Sequence, residues 1–438
     1  MRVLPFLILL SLPSGPAGAD ALPAPLSDAD YITPAGPDEL RLGQLLFYDP
    51  ILSGNRAVSC ATCHHPRFAT SDGLSLGLGD GGTGLGPERR ADPANLPEQR
   101  IPRNSPALFN LGLRDLRVLF HDGRIEVDPD RPGGLRTPLD EDMVTGFSGL
   151  LSAQTMFPVL SPDEMAGHYD ENEIALAVRR GVITGPGGAW DLLSQRVTAL
   201  PEYDALFRAA YPQIAAGAPV TFADISNAIA AFVAEEWRSD ASPFDAHLRG
   251  EAALTGDALA GLELFYGPAG CAACHAGPAL TDQGFHAMGQ PQIGPGKAAR
   301  FESHQRDEGR FRVTGQAADL HAFRTPSLRN VAATGPWGHA GAFDDLRAFL
   351  RYHADPASGE AAAPVLPELP GAAPDNAVWE DDVQRDEILA ARRTPPVPLS
   401  EAQIDQLLAF LNSLTDPVAL AGRMGIPDAV PSGLPVER

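Results

Sequence analysis

Apolar residues recur at helical spacing in several stretches, and no region shows the sustained alternation of a strand-rich fold. Between Glu39 and Tyr48, Leu40, Leu42, Leu45, Leu46 and Phe47 define a first helix. Helical pattern returns over Glu171–Arg180 and Asp191–Thr198, and more clearly from Thr221 to Trp237. There Phe222, Ile225, Ile229, Phe232 and Val233 form one stripe, and Thr221 with Asp224 makes an N-terminal capping box. A last helix starts at Ser400, with Ser400 and Gln403 as capping box and Leu399 and Ile404 as hydrophobic staple, and runs on through Leu407, Leu408 and Leu411. Such stripes face cores and carry no chemistry. The string Gly43-x-x-Leu46-Phe47-Tyr48 recurs as Gly261-x-x-Leu264-Phe265-Tyr266, which marks an internal duplication.

Residues 20–38, rich in Pro, Ala and Asp, read as a loose arm. Residues 73–86 hold seven glycines and lead into a polar segment ending at Pro102. This long loop reads as too polar for core; a cover beside a nearby site and a plain surface insertion are both open. The polar stretch Arg238–Asp257 divides the chain into units 20–238 and 239–438.

Each copy of the repeat runs into the same chemical motif: Cys60-Ala61-Thr62-Cys63-His64 and Cys271-Ala272-Ala273-Cys274-His275. C-x-x-C-H attaches a c-type haem. Its two thiols form thioethers to the porphyrin vinyl groups, and the histidine supplies an axial nitrogen. These are all four cysteines of the chain. A zinc site would need two such pairs close together, and each pair here carries its own histidine instead. The expected fold is therefore mainly α, with two c-type cytochrome-like haem domains, long loops and few strands.

The formal net charge of −23 over 438 residues argues against nucleic acid and anionic membrane, and for basic or neutral protein partners. Residues 1–19 read as a secretory signal peptide: Arg2, an apolar run from Val3 to Leu12, and Ala17-Gly18-Ala19 before the cut. That run is too short to span a bilayer and no later stretch is suited to it. Export agrees with covalent haem, so the expected location is periplasmic.

The chain resembles the bacterial di-haem cytochrome c peroxidase superfamily, including its MauG-type branch. The strings that carry the resemblance are Leu46-Phe47-Tyr48-Asp49, Ser59 to His64, Arg103-Asn104-Ser105-Pro106, and Phe120-His121-Asp122-Gly123-Arg124. Further on they are Ser242-Pro243-Phe244-Asp245, Thr281-Asp282-x-x-Phe285-His286, Arg324 to Val331, and Thr334 to Gly341. The resemblance implies that peroxide meets the N-terminal haem while the C-terminal haem relays or stores electrons. It implies roles for Gln154, Pro158 and Glu164, which reproduce the MauG-type spacing of four and six. Glu164 would move the proton, Gln154 would donate to bound peroxide, and Pro158 would cap the pocket sterically.

The same resemblance implies a Ca2+ between the haems, held by the Asn104 side chain and the carbonyls of Thr334 and Pro336. Oxygen-only ligands suit Ca2+. It also places the distal ligand of the second haem seventeen residues after Pro336, at His353, with neighbouring Tyr352 as the alternative. No histidine between His65 and His121 is available to close the first haem. His121 stands where the family often has an inter-haem Trp, and Ala269 where the MauG-type enzyme has a surface Trp; both weaken long-range radical transfer. His286 and His339 are expected to make structural or propionate contacts.

The sequence thus points to a peroxidase that takes hydrogen peroxide and electrons from a small periplasmic donor such as a cytochrome c. The rivals are MauG-like oxidation of a specific organic or protein substrate through high-valent iron, and plain electron transfer without catalysis.

Overall fold

The computed structural model describes residues 22–297, 304–357 and 366–438. The expected leader, 1–19, lies outside them. Helices dominate, and the described strands are two or three residues long, grouped in small antiparallel ribbons such as Val118–Leu119, Ile125–Val127 and Leu135–Arg136. Among the described residues no helix is long and apolar enough to cross a membrane.

The duplicated string has a packing reason. Helix Pro37–Tyr48 crosses helix Phe222–Glu236 at Gly43, where a Cβ would overlap the carbonyl of Ala228 and press on the Cβ of Phe232. Helix Gly256–Phe265 crosses helix Glu401–Asn412 at Gly261, where a Cβ would overlap the carbonyl of Gln406 and press on Phe410. Glycine allows these backbones to touch, and the aromatic residue four positions on fills the space beside the crossing. Phe47 lies 5.4 Å from Phe232 and 5.1 Å from Trp237, and Phe265 lies 5.0 Å from Phe410, centroid to centroid. Both partner helices begin with the expected boxes, Thr221 with Asp224 and Ser400 with Gln403.

The two largest hydrophobic cores among the described residues are built on these two crossings. One gathers residues from Leu42 to Trp237 and the other residues from Phe244 to Leu414. The last part of the chain departs from the expected division at 238/239. Ala419 and Val430 belong to the first core, with Leu434 and Val436 packed on it. The crossing is fixed by polar groups: the Glu236 carboxylate accepts from the backbone of Arg423, Met424 and Gly425, and Ser432 Oγ donates to Asp49 at 2.6 Å. The tail ends at the first C-x-x-C-H motif, where Thr62 donates to Glu437.

The Gly-rich segment is also not where its composition suggests. Leu74 to Gly82 is buried. Arg89, 2% exposed, turns inward and donates to the carbonyls of Leu78, Gly79 and Gly84 at 2.5, 2.7 and 2.6 Å. One guanidinium thus supplies the partners that a buried glycine backbone needs.

In the second half, the side chains of Arg329 and Asp245 are both fully buried and pair at 2.6 Å. Arg329 Nη2 also donates to Pro278 O at 2.7 Å, just beyond the second haem motif. Arg329→Met leaves Asp245 buried without its cation, at a cost of about 3–5 kcal/mol. A thermal melt followed at the haem band should fall by about 10 °C. A drop below about 2 °C would show that the pair contributes little.

Candidate functional site

The first motif is a single helical turn, Cys60–Cys63, entered through Ser59 and left at His64. His64 Nδ1 faces the carbonyl of Thr70 at 3.0 Å, with Ser105 Oγ at 3.3 Å. Burial holds this imidazole below its ordinary pKa, so it is neutral. A neutral ring that donates through Nδ1 presents the lone pair of Nε2, the form that binds a metal. The second motif repeats the device. His275 Nδ1 faces Leu280 O at 3.3 Å, and burial lowers its pKa to about 4. All four cysteines are free of disulfides.

Opposite His275 stands His353, on the last turn of helix Leu346–Ala354. Their ring centroids are 6.3 Å apart. Two imidazole nitrogens each about 2 Å from one metal put the centroids about 6 Å apart, so the pair fits a six-coordinate iron. Burial, with His275 and Arg392 adding to it, lowers the His353 pKa to about 3. Tyr352 is engaged elsewhere: its hydroxyl donates to Gly289 O at 2.7 Å and its ring packs 5.2 Å from Phe343. Among the described residues His64 has no imidazole facing it as His353 faces His275. His65 is buried with Nδ1 accepting from Arg67 N.

Gln154 lies in helix Leu150–Thr155, Pro158 opens the turn Pro158–Leu160, and Glu164 sits in the π-helical turn Pro162–Ala166. The carbonyl of Ser161 accepts from the backbone of Glu164, Met165 and Ala166. Such turns are uncommon and gather at functional sites. Gln154 Oε1 is buried without a partner. Burial raises the Glu164 pKa; Lys297 and Arg124 pull it down and Asp163 pushes it up again. The Cys63 thiol is raised chiefly by burial, with Asp72 and Glu164 among the charges that add to it. The Glu164 carboxyl is thus within electrostatic reach of the first motif.

The Gly-rich segment holds this turn. Asp80 N donates to Glu164 O at 3.0 Å, and a Cβ at Gly79 would overlap the carbonyls of Asp163 and Glu164. On the other side Gly54 N donates to Met165 O at 2.7 Å and Asn172 Nδ2 to Ala166 O at 3.0 Å. No local pattern marks these contacts, nor the action of Lys297 and Arg124 on Glu164, because they join loops far apart in the chain.

Asn104 lies where the two halves meet. Its backbone N donates to His339 O at 2.9 Å, and its amide NH2 donates to Leu74 O at 2.7 Å. His121 donates through Nε2 to Asn104 O at 3.1 Å; burial and then Arg103 lower its pKa to about 4. Asn104 Oδ1 and the carbonyls of Thr334 and Pro336 accept no hydrogen bond among the described residues. The surrounding interface is strongly paired, with Arg103 bridging Asp122 and Asp307 at 2.7 Å each. His339 stacks on Phe323 at 3.8 Å, and neither of its ring nitrogens has a partner.

Two C-x-x-C-H turns, each with its histidine fixed through Nδ1, define a c-type haem protein. The chain belongs to the di-haem cytochrome c peroxidase family. The family model described as di-haem cytochrome c peroxidase matches residues 37–253. Methylamine utilization protein MauG of Methylorubrum extorquens is 31% identical over 321 residues, covering 73% of this chain and 69% of that protein. Cytochrome c551 peroxidase of Pseudomonas aeruginosa is 30% identical over 368 residues, covering 82% and 86%. Among solved structures, a MauG-like protein associated with microbial copper homeostasis aligns with a TM-score of 0.59 at 26% identity, over 94% of this chain and 97% of that one. The diheme peroxidase BthA from Burkholderia thailandensis shares the fold, with a TM-score of 0.58 at 22% identity over 95% and 94%.

Proposed function

We propose that this di-haem enzyme reduces hydrogen peroxide at the haem of Cys60, Cys63 and His64, with electrons entering through the haem of Cys271, Cys274 and His275. Each set of residues would hold one haem, and His353 with His275 would hold the iron of the C-terminal haem. The observation that carries this reading is the difference between the two motifs. His353 faces His275, whereas among the described residues no imidazole faces His64 in that way and the Glu164 carboxyl lies within electrostatic reach of Cys63. A saturated iron passes electrons, and an iron with one open face binds substrate.

Bound haem supplies the two electrons that break the O–O bond. The chain does the rest. Gln154 donates to peroxide and Pro158 limits the pocket. Glu164 takes the proton from the near oxygen and returns it to the far one, which leaves as water. The balance is H2O2 with two electrons and two protons giving two waters. The electrons come from a small periplasmic donor, and the acidic chain suits a basic or neutral partner. Peroxide-dependent oxidation of a reduced cytochrome c tests the reading. Peroxide-independent electron exchange alone would reduce the protein to a carrier.

The three unpartnered oxygens of Asn104, Thr334 and Pro336 are proposed to hold one Ca2+ beside His121. Chelation should alter the haem spectrum and lower activity, with recovery on adding Ca2+ but not Mg2+, which demands a tighter octahedron. Active, chelator-washed protein without calcium would contradict this site.

A further inference from the structure

On the proposed reading three imidazoles, those of His64, His275 and His353, bind haem iron, and each needs an acceptor at Nδ1 if Nε2 is to bind it. For His64 and His275 that acceptor is a backbone carbonyl, of Thr70 and Leu280. For His353, among the described residues, the group at Nδ1 is the side-chain amide of Gln290, 3.2 Å away. The amide is placed with Nε2 toward the ring, and its Oε1 is buried without a partner. Oxygen and nitrogen of an amide are distinguished by their network and not by shape. Two donors cannot face each other, so a His353 that carries its proton on Nδ1 requires the amide turned over, with Oε1 accepting.

We propose that Gln290 is the positioning residue of the second haem: its carbonyl fixes the His353 tautomer and sets the potential of that haem. This rests on His353 being the ligand. The contact is held rigidly. The Tyr352 hydroxyl donates to Gly289 O at 2.7 Å. Arg392 donates to Met288 O at 3.0 Å and to the carbonyls of His353 and Ala354 at 3.2 Å each. Phe349 stacks on the His353 ring at 5.3 Å. Residues 288–290 and the end of the ligand helix are thus tied to each other by hydrogen bonds. An acceptor on Nδ1–H makes the imidazole a stronger donor and favours ferric iron. A neutral amide does so moderately, a carboxylate more strongly, and an alkyl group not at all.

The test is redox titration of the holoprotein with Gln290→Leu and Gln290→Glu. Gln290→Leu should raise the potential of the second haem, changing its oxidised-to-reduced ratio about tenfold, or about 59 mV for one electron. Gln290→Glu should lower it by a similar amount. Both variants should keep a six-coordinate low-spin spectrum, with ligand-field signatures displaced in opposite directions. Unchanged potentials in both, or shifts of the same sign, overturn the proposal. If Gln290→Leu fails to load haem, Gln290→Glu alone decides: an unchanged potential overturns it. His353→Ala separates the two levels. A low-spin second haem in that variant removes the ligand reading itself, whereas a high-spin one with inert Gln290 variants removes only the role of Gln290.

Discussion

Glu164→Gln is expected to lower peroxide turnover by about 10²–10⁴-fold, the usual worth of a positioned proton-transfer group. The substitution keeps the shape of the side chain and its burial, so both haems should remain attached and the second haem's spectrum unchanged. On the proposed reading, what is lost is the ability to take a proton from one peroxide oxygen and return it to the other. The contacts of the π-helical turn with Gly79, Asp80, Gly54 and Asn172 hold the backbone that carries Glu164. The proposed first step needs the carboxylate. Burial raises the Glu164 pKa above its ordinary 4.5, so the carboxylate is lost as pH falls through that raised value. The acid limb of kcat/KM should therefore lie above pH 4.5 and vanish in Glu164→Gln. Turnover within a factor of about three of wild type would remove Glu164 from the mechanism.

His353→Ala should convert the second haem from six-coordinate low spin to high spin and interrupt electron delivery to the first. The 6.3 Å separation of the His275 and His353 rings is what one iron between two imidazoles requires. Tyr352, the alternative ligand by position, spends its hydroxyl on Gly289 O. Met raises the potential of a c-type haem, so the imidazole pair should sit lower and His353→Met should raise it. A low-spin spectrum that survives in the alanine variant would assign the ligand to another residue, and the expectation of a low potential would go with it.

Much of this was legible in the chain itself. The two Gly-x-x-Leu-Phe-Tyr strings correspond to two helix crossings, because a backbone contact admits only glycine and leaves its mark wherever it is duplicated. The capping boxes at Thr221 and Ser400 were legible for a similar reason, since each is completed within four residues. The haem-bearing residues stand in one short motif. Contacts between distant segments were not legible. The Leu74–Gly82 loop is buried because Arg89 satisfies its carbonyls, and composition alone reads it as surface. The return of residues 417–438 to the first core depends on Glu236 and Asp49 meeting backbone and side-chain groups nearly two hundred positions away or more. Gln290 belongs to no recognisable string, and only the fold brings it to His353.

The most direct test is stopped-flow reaction of the donor-reduced protein with hydrogen peroxide, following each haem by its own spectrum. Two donor electrons should be consumed per peroxide, with the high-spin His64 haem responding first and the low-spin His275 haem reoxidised after it. Reoxidation of the second haem without a prior change at the first, or peroxide loss no faster in wild type than in Glu164→Gln, would contradict the proposed function.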